Sequence, residues 1–342
     1  MTFPLQAVPD TVPQSPPQAW QAAERGAVFV VDTDLAAMAI RGPDAPAFLQ
    51  GQFSNDVKAL PVGHGQWTTY NSPKGRMLAT LFLVRSADDA YDAILAADIA
   101  QAVRKRLAMF VLRSKVTIAD ETEQPPLIGI GGPDAVDSVT SAFGSVPDAG
   151  GRVAVDDVSI MRWPDGRVVI VAPRGSSPTV LQRLEPHATP AGNDVWRWLL
   201  VRSGVPMITA ATQDRFVAQT ANLDVVGALD FKKGCYTGQE VVARTHYLGR
   251  LKERLFSFAT DADAPDPGTR LYGVVFGDQA SGTVVNSARD RERGAIFLAV
   301  AHLEAVDKGP MRIGAVDGPE ARVQPLPYTI PPLQPPRGRM KP

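Results

Sequence analysis

Asp230-Phe231-Lys232-Lys233-Gly234-Cys235-Tyr236-Thr237-Gly238-Gln239-Glu240-Val241-Val242-Ala243-Arg244 is the stretch on which the reading of this chain turns. It holds the one cysteine among 342 residues. Two lysines precede the thiol, and Gly234 and Gly238 frame it, permitting tight turns and close backbone approach. A helix is expected to start at Thr237 or Gly238 and run to Arg244. A thiol beside ammonium groups and a helix N-terminus has its thiolate favoured, because positive potential stabilises the anion. A buried cysteine in a structural turn explains the same composition, and on the residues alone both readings stand.

The single cysteine excludes an intrachain disulfide, a zinc site built from three or four thiolates, and an iron–sulfur cluster held by several of the chain's own cysteines. His64, His187, His246 and His302 show no metal-ligand spacing, so no metal site is expected. A Cys–His pair stays open, since partners meet in space; His246 is nearest in sequence. Charge is balanced, 35 Lys+Arg against 36 Asp+Glu, which argues against whole-chain electrostatic binding of nucleic acid but leaves room for a local basic groove. Residues 1–24 are too polar and proline-broken for a signal peptide, and no apolar run is long enough for a bilayer. The expectation is a soluble, cytoplasmic protein.

Prolines crowd both ends, and each end is expected to be an extended or disordered tail. Between them lies an internal echo. Ala36–Ile40 leads into Arg41-Gly42-Pro43-Asp44-Ala45; ninety positions on, Leu127–Ile130 leads into Gly131-Gly132-Pro133-Asp134-Ala135. Each reads as strand, glycine turn and helix. Two similar α+β units explain this, and so does convergent use of a common turn. Ile94, Leu95, Ile99, Val103, Leu107 and Phe110 recur at helical spacing, Val116–Ala119 reads as a strand, and Asp194 reads as the N-cap of a helix through Trp196 and Leu200. After Arg250 short apolar runs are split by Gly, Pro and Asp, the texture of a small antiparallel barrel. Gly129-Ile130-Gly131-Gly132-Pro133-Asp134 suggests a dinucleotide loop but fails: Asp134 replaces the last glycine and Pro133 removes an amide.

Lys233–Glu240 resembles the signature of the YgfZ-like folate-binding proteins, relatives of the glycine-cleavage T-protein that act in iron–sulfur cluster assembly or repair. Supporting pieces occur in family order: Phe48–Val57, the hairpin Asn71-Ser72-Pro73-Lys74-Gly75-Arg76, Gly204-Val205-Pro206, and Gln219-Thr220-Ala221-Asn222-Leu223-Asp224. The resemblance covers roughly residues 28–330. It implies an α+β fold: two ferredoxin-like units, then a C-terminal β-barrel, around a hole that admits folate. The expected division is a disordered tail over 1–24, units at 25–120 and 121–248, a barrel at 249–328 and a tail at 329–342.

The resemblance implies tetrahydrofolate as ligand. Lys233 matches the family's folate-linked lysine, Trp196 aligns with a tryptophan at the folate site, Leu35 falls where a second tryptophan belongs, and Asn222 joins the set. A core position explains Trp196 equally well. Cys235 is assigned as a redox or transient-ligand thiol. Lys232, Gly234, Tyr236, Thr237, Gly238, Gln239, Glu240 and Arg244 support it, the last two as a local ion pair or as its surround. Two departures stand out. Arg202-Ser203-Gly204 replaces the family's Glu-Ala-Gly, and Met77–Leu81 lacks the acidic pair that aminomethyl transfer requires. The implied role is a monomeric folate-binding accessory of iron–sulfur clients, including radical tRNA-modifying enzymes, with no DNA or membrane contact. The alternatives are a folate-dependent one-carbon enzyme and a module binding tRNA or protein.

Overall fold

In the computed structural model, which describes residues 14–31, 33–119, 127–173, 175–247, 251–292 and 294–331, the proline-rich start is folded from Ser15 on. Helix α1 (Pro17–Arg25) begins on a proline, where the missing N–H costs nothing, and buries Ala19, Trp20 and Ala23. The Ser15 backbone N–H and hydroxyl both donate to the Asp194 carboxylate, at 2.9 and 2.5 Å. The expected disordered tail over 1–24 is thus wrong from residue 15, because Trp20 gives the segment an apolar anchor; residues 1–13 lie outside the described ones.

Strand β1 (Val28–Val31) follows. Then come β2 (Leu35–Arg41), α2 (Ala45–Gln52), β3 (Gly65–Asn71), β4 (Met77–Ala87), β5 (Ala90–Ala96), α3 (Ala97–Ala108) and β6 (Thr117–Ile118). A second run repeats the order: β7 (Ile128–Gly131), α4 (Ala135–Phe143), β8 (Arg152–Val155), β9 (Val158–Arg162), β10 (Val168–Val171), α5 (Ser177–Leu184), β11 (Thr189–Ala191) and α6 (Asn193–Arg202). The first sheet is ordered β3-β4-β5-β2-β6 and the second β8-β9-β10-β7-β1-β11. Apart from β1 the two orders are the same, each a ferredoxin-like unit with one added strand. The echo at Pro43 and Pro133 is therefore a repeat. β1 crosses over: it precedes the first unit yet pairs antiparallel with β7 and parallel with β11.

Two local expectations change. Ile94 and Leu95 belong to strand β5, and only Ile99, Val103 and Leu107 form the buried helical face. An apolar run this short carries no period of its own. Gly192, not Asp194, is the N-cap of α6, because the Asp194 carboxylate is taken by Ser15.

The glycines of the failed dinucleotide loop serve packing. A Cβ on Gly129 would lie 2.7 Å from the Trp196 ring, one on Gly131 2.5 Å from Leu199, and one on Gly132 2.4 Å from the Gly26 carbonyl. The first two gaps seat α6 on the second sheet, and the third admits the end of α1. Beneath it Trp20, Trp67, Trp163, Trp196 and Trp198, all five tryptophans of the chain, share one core.

After α6, a connection with one 3-10 turn (Ala218–Ala221) leads to α7 (Gln239–Tyr247). The barrel comprises β12 (Glu253–Thr260), β13 (Arg270–Gly273), β14 (Ala280–Arg289), β15 (Ala295–His302), α8 (Leu303–Asp307), β16 (Met311–Ile313) and β17 (Glu320–Gln324). It closes in the order β12-β15-β14-β13-β16-β17 around Phe258 and Phe297, stacked at 5.3 Å. Closure removes exposed sheet edges. Asn286 ties it inward, accepting from Met207 N–H and donating to Met207 C=O, both at 2.8 Å. Beyond β17 the chain returns to α6, where the Tyr328 hydroxyl donates to Gly204 C=O at 2.8 Å.

Candidate functional site

The cysteine loop rests on the turn after α2. Ser54 donates to Ala228 C=O and Asn55 to Gly227 C=O, both at 2.8 Å, and Asp230 N–H donates back to Ser54 C=O at 3.1 Å. The Asp230 carboxylate then accepts from the backbone N–H groups of Lys232 and Lys233, turning the chain inward. Lys232 stays exposed, while Lys233 is buried. Its ammonium donates to Gln50 C=O at 2.7 Å and Phe53 C=O at 2.5 Å, carbonyls left open at the end of α2. It also lies 5.0 Å from the centroid of the Tyr236 ring. Burial pulls Lys233 down to about 8, against the opposing pull of Asp56 and Asp230.

Cys235 is exposed between two anchors, Lys233 and the buried Tyr236, whose hydroxyl burial pushes up to about 12. Gly234 is exposed as well, and Thr237 and Gln239 are half-buried. Gly238, at φ +80°, backs onto the 71–76 hairpin: a Cβ there would lie 2.5 Å from Ser72 C=O and 2.8 Å from Gly75 Cα. Helix α7 starts at Gln239 and is held by Gln219, which donates to Val242 C=O at 2.6 Å. His246 stacks on Phe231 at 3.7 Å, closing the loop on itself. Glu240 and Arg244 are both exposed, and no ion pair joins them; an exposed pair gains too little in water to hold two long side chains together.

Hairpin, α2 turn and cysteine motif, three pieces far apart in sequence, therefore meet in one place. Chemically the arrangement presents a lone thiol on a fixed backbone. Such a group can exchange with a disulfide or complete a metal coordination sphere started elsewhere. Among the described residues no cluster of three or more His, Cys, Asp or Glu gathers, and no helix is long and apolar enough to cross a membrane.

The other three residues linked to folate by resemblance lie apart from Lys233. Leu35 and Trp196 are buried in the tryptophan core. Asn222, at φ +59°, donates to Leu255 C=O at 2.9 Å and clamps the connection to β12. Sequence reading missed Trp163 and Arg167. They face each other across Trp163-Pro164-Asp165-Gly166-Arg167, a Pro-Asp-Gly turn that marks a hairpin. The Arg167 guanidinium sits 4.7 Å from the Trp163 centroid and 5.4 Å from that of Trp196, paired to Asp165 at 2.5 Å. Trp163 Nε1, Trp196 Nε1 and Arg167 Nη1 are buried with no acceptor. A cleft of about 340 Å³ opens between β2 and β8–β9, and another of about 310 Å³, lined by Arg167, Trp198, Arg202 and Ser203, leads toward Arg167.

A family model described as the GCVT N-terminal domain matches residues 18–150. The chain is 30% identical over 322 residues to the "tRNA-modifying protein YgfZ" of Enterobacter sp. (strain 638), covering 92% of this chain and 98% of that one. It is 28% identical to the protein of the same name from Escherichia coli O7:K1, covering 87% and 92%. Among solved structures it resembles the glycine cleavage system aminomethyltransferase T from Bartonella henselae, with TM-score 0.76, 16% identity, and 91% and 89% of the two chains covered, a likeness of fold. Spanning nearly all of a 30%-identical YgfZ protein, the chain belongs to the YgfZ family.

Proposed function

We propose that this protein is a cytoplasmic, reduced-folate-binding accessory of iron–sulfur-dependent tRNA modification, presenting Cys235 as its working thiol. The observation that carries the reading is the exposed sole thiol on a loop anchored on both sides, by Lys233 on α2 and by Gly238 on the hairpin. Anchoring removes the entropy that a free loop would lose on engaging a partner. The cluster is cargo: one thiol supplies one ligand, and the client supplies the others. The relatives' name, tRNA-modifying protein, supports the direction of that service.

Orphaned donors support a folate as the ligand. A pterin offers a flat face and acceptor atoms, and Trp163, Trp196 and Arg167 offer buried N–H groups without acceptors. Arg202, stacked 4.4 Å over Trp198 at the cleft, would take a glutamate carboxylate of the tail. When bound, a reduced folate supplies one-carbon or reducing chemistry. Lys233, spent on two carbonyls, acts in this reading through the loop. Met77–Leu81 at the start of β4 carries no carboxylate, and Met77, Ala79 and Leu81 are fully buried, so the reading assigns no aminomethyl transfer.

Cys235→Ser is expected to abolish growth under oxidative stress and tRNA thiomethylation in a strain relying on this protein, with an unchanged unfolding curve. Wild-type behaviour in both assays would sink the thiol's role. Tetrahydrofolate is expected to quench tryptophan fluorescence saturably, with Arg167→Gln binding at least tenfold more weakly. A wild-type protein that fails to bind would remove folate and leave the thiol standing.

A further inference from the structure

Three arginines converge on a cleft of about 450 Å³ between the 71–76 hairpin and the barrel. Arg76 comes from the hairpin, Arg215 from the connection after α6, and Arg270 from β13. Asp214, Glu253 and Thr283 complete the polar part of the lining. All three arginines are exposed, and among the described residues none has an ion-pair partner. Arg76 donates through Nη1 to Arg215 C=O, which holds its guanidinium at the cleft. Arg270 donates to Thr283 Oγ1 at 2.9 Å. The Asp214 carboxylate is engaged by the Ser72 hydroxyl at 2.7 Å.

Three guanidinium groups from distant segments share the cleft with two carboxylates, Asp214 and Glu253, neither within ion-pair distance of them, so the cations are in excess and open to an anionic ligand. Guanidinium groups recognise phosphate oxygens by paired N–H donors, which makes a phosphate the natural counter-charge. A small phosphorylated molecule would need an enclosed, largely apolar pocket for the rest of its body. This cleft is open and polar-walled, with Lys74 at the hairpin tip and Lys252 beside Glu253, both exposed. That is the form of a surface that tracks a sugar–phosphate backbone. The hairpin bearing Arg76 also carries Gly75, where a Cβ would lie 2.6 Å from Val241 of the cysteine motif.

We propose that Arg76, Arg215 and Arg270 form a phosphodiester-binding cleft that holds RNA against the hairpin supporting Cys235. The inference rests on the tRNA-directed reading above and names its macromolecular contact. It is measured without folate, cluster or client, so the two fail separately.

The test is binding of a labelled tRNA transcript to the full chain by fluorescence anisotropy across a salt series, with AMP and inorganic phosphate as separate ligands. The wild type is expected to bind. The triple variant Arg76→Gln/Arg215→Gln/Arg270→Gln is expected to bind at least tenfold more weakly, and its log K against log salt slope is expected to fall by about two to three. Lys115→Gln, at an exposed lysine just ahead of β6, is expected to bind as wild type, and the triple variant to keep the wild-type unfolding midpoint. No RNA binding by the wild type, or equal binding by the triple variant, overturns the proposal. So does an equal loss in Lys115→Gln, which would spread the contact over the whole surface. Saturable AMP or phosphate binding without RNA binding would assign the cleft to a small ligand and overturn it too.

Discussion

Lys233→Met is expected to destabilise the protein by about 2–4 kcal/mol, because the half-buried Gln50 carbonyl and the buried Phe53 carbonyl each lose a donor. The loss has a pH signature. Burial holds the folded-state Lys233 at about 8, below its ordinary 10.5. Between those values the unfolded chain keeps a proton that the folded chain has released. Stability contributed by Lys233 therefore rises as pH climbs through that window, and is lost as pH falls through about 8. The difference between wild type and Lys233→Met should widen by up to about 1.4 kcal/mol per pH unit between about 8 and 10.5. Urea unfolding of both proteins at pH 7, 8.5 and 10 reads it, since every other titrating group is common to the pair. A flat difference would exclude a buried ammonium at this position. The variant should also alkylate faster at Cys235, since the loop loses an anchor.

Gly238→Ala is expected to cost about 3 kcal/mol or more, whereas Gly234→Ala is expected to fall within about 0.5 kcal/mol of wild type. The two glycines flank the same cysteine and look alike in sequence. Gly238 sits at φ +80°, where an alanine alone loses about 1 kcal/mol. Its Cβ would also meet Ser72 C=O and Gly75 Cα, both backbone, so the hairpin itself must shift. Around Gly234 a Cβ meets nothing within 4 Å. Thermal unfolding of the two variants separates them. Gly238→Ala should also lower tRNA thiomethylation while its thiol remains titratable. Equal midpoints for the two variants would break the claimed contact between hairpin and motif.

Much of the architecture is legible one residue at a time. The Gly-Pro-Asp echo shows the same turn between strand and helix in two places, and the matching strand orders of the two sheets make it a repeat. The short runs after Arg250 mark a barrel because closely spaced turns leave no room for a long helix. Asp134 and Pro133 rule out a dinucleotide loop by chemistry alone. Ile94 and Leu95 were not legible, since two apolar residues fit a strand and a helix face equally. The crossing of β1 into the second sheet was not legible either, for a four-residue apolar strand carries no address for its partner.

The lone thiol and its glycine frame follow from the amino-acid order, because a count and a local motif need no partners. What the thiol stands on is a matter of distant contacts. Lys233 lies two residues from Cys235 in sequence, yet its ammonium is turned onto carbonyls of α2, some 180 positions away. Trp196 and Trp198, two residues apart on one helix, are both buried, the first over Gly129 and the second against Trp20 at 5.8 Å. The convergence of Arg76, Arg215 and Arg270 is likewise invisible along the chain. Local sequence sets which groups exist and how the backbone turns at each point. Only packing, which satisfies buried polar atoms and fills space with whatever segment fits, decides which groups meet.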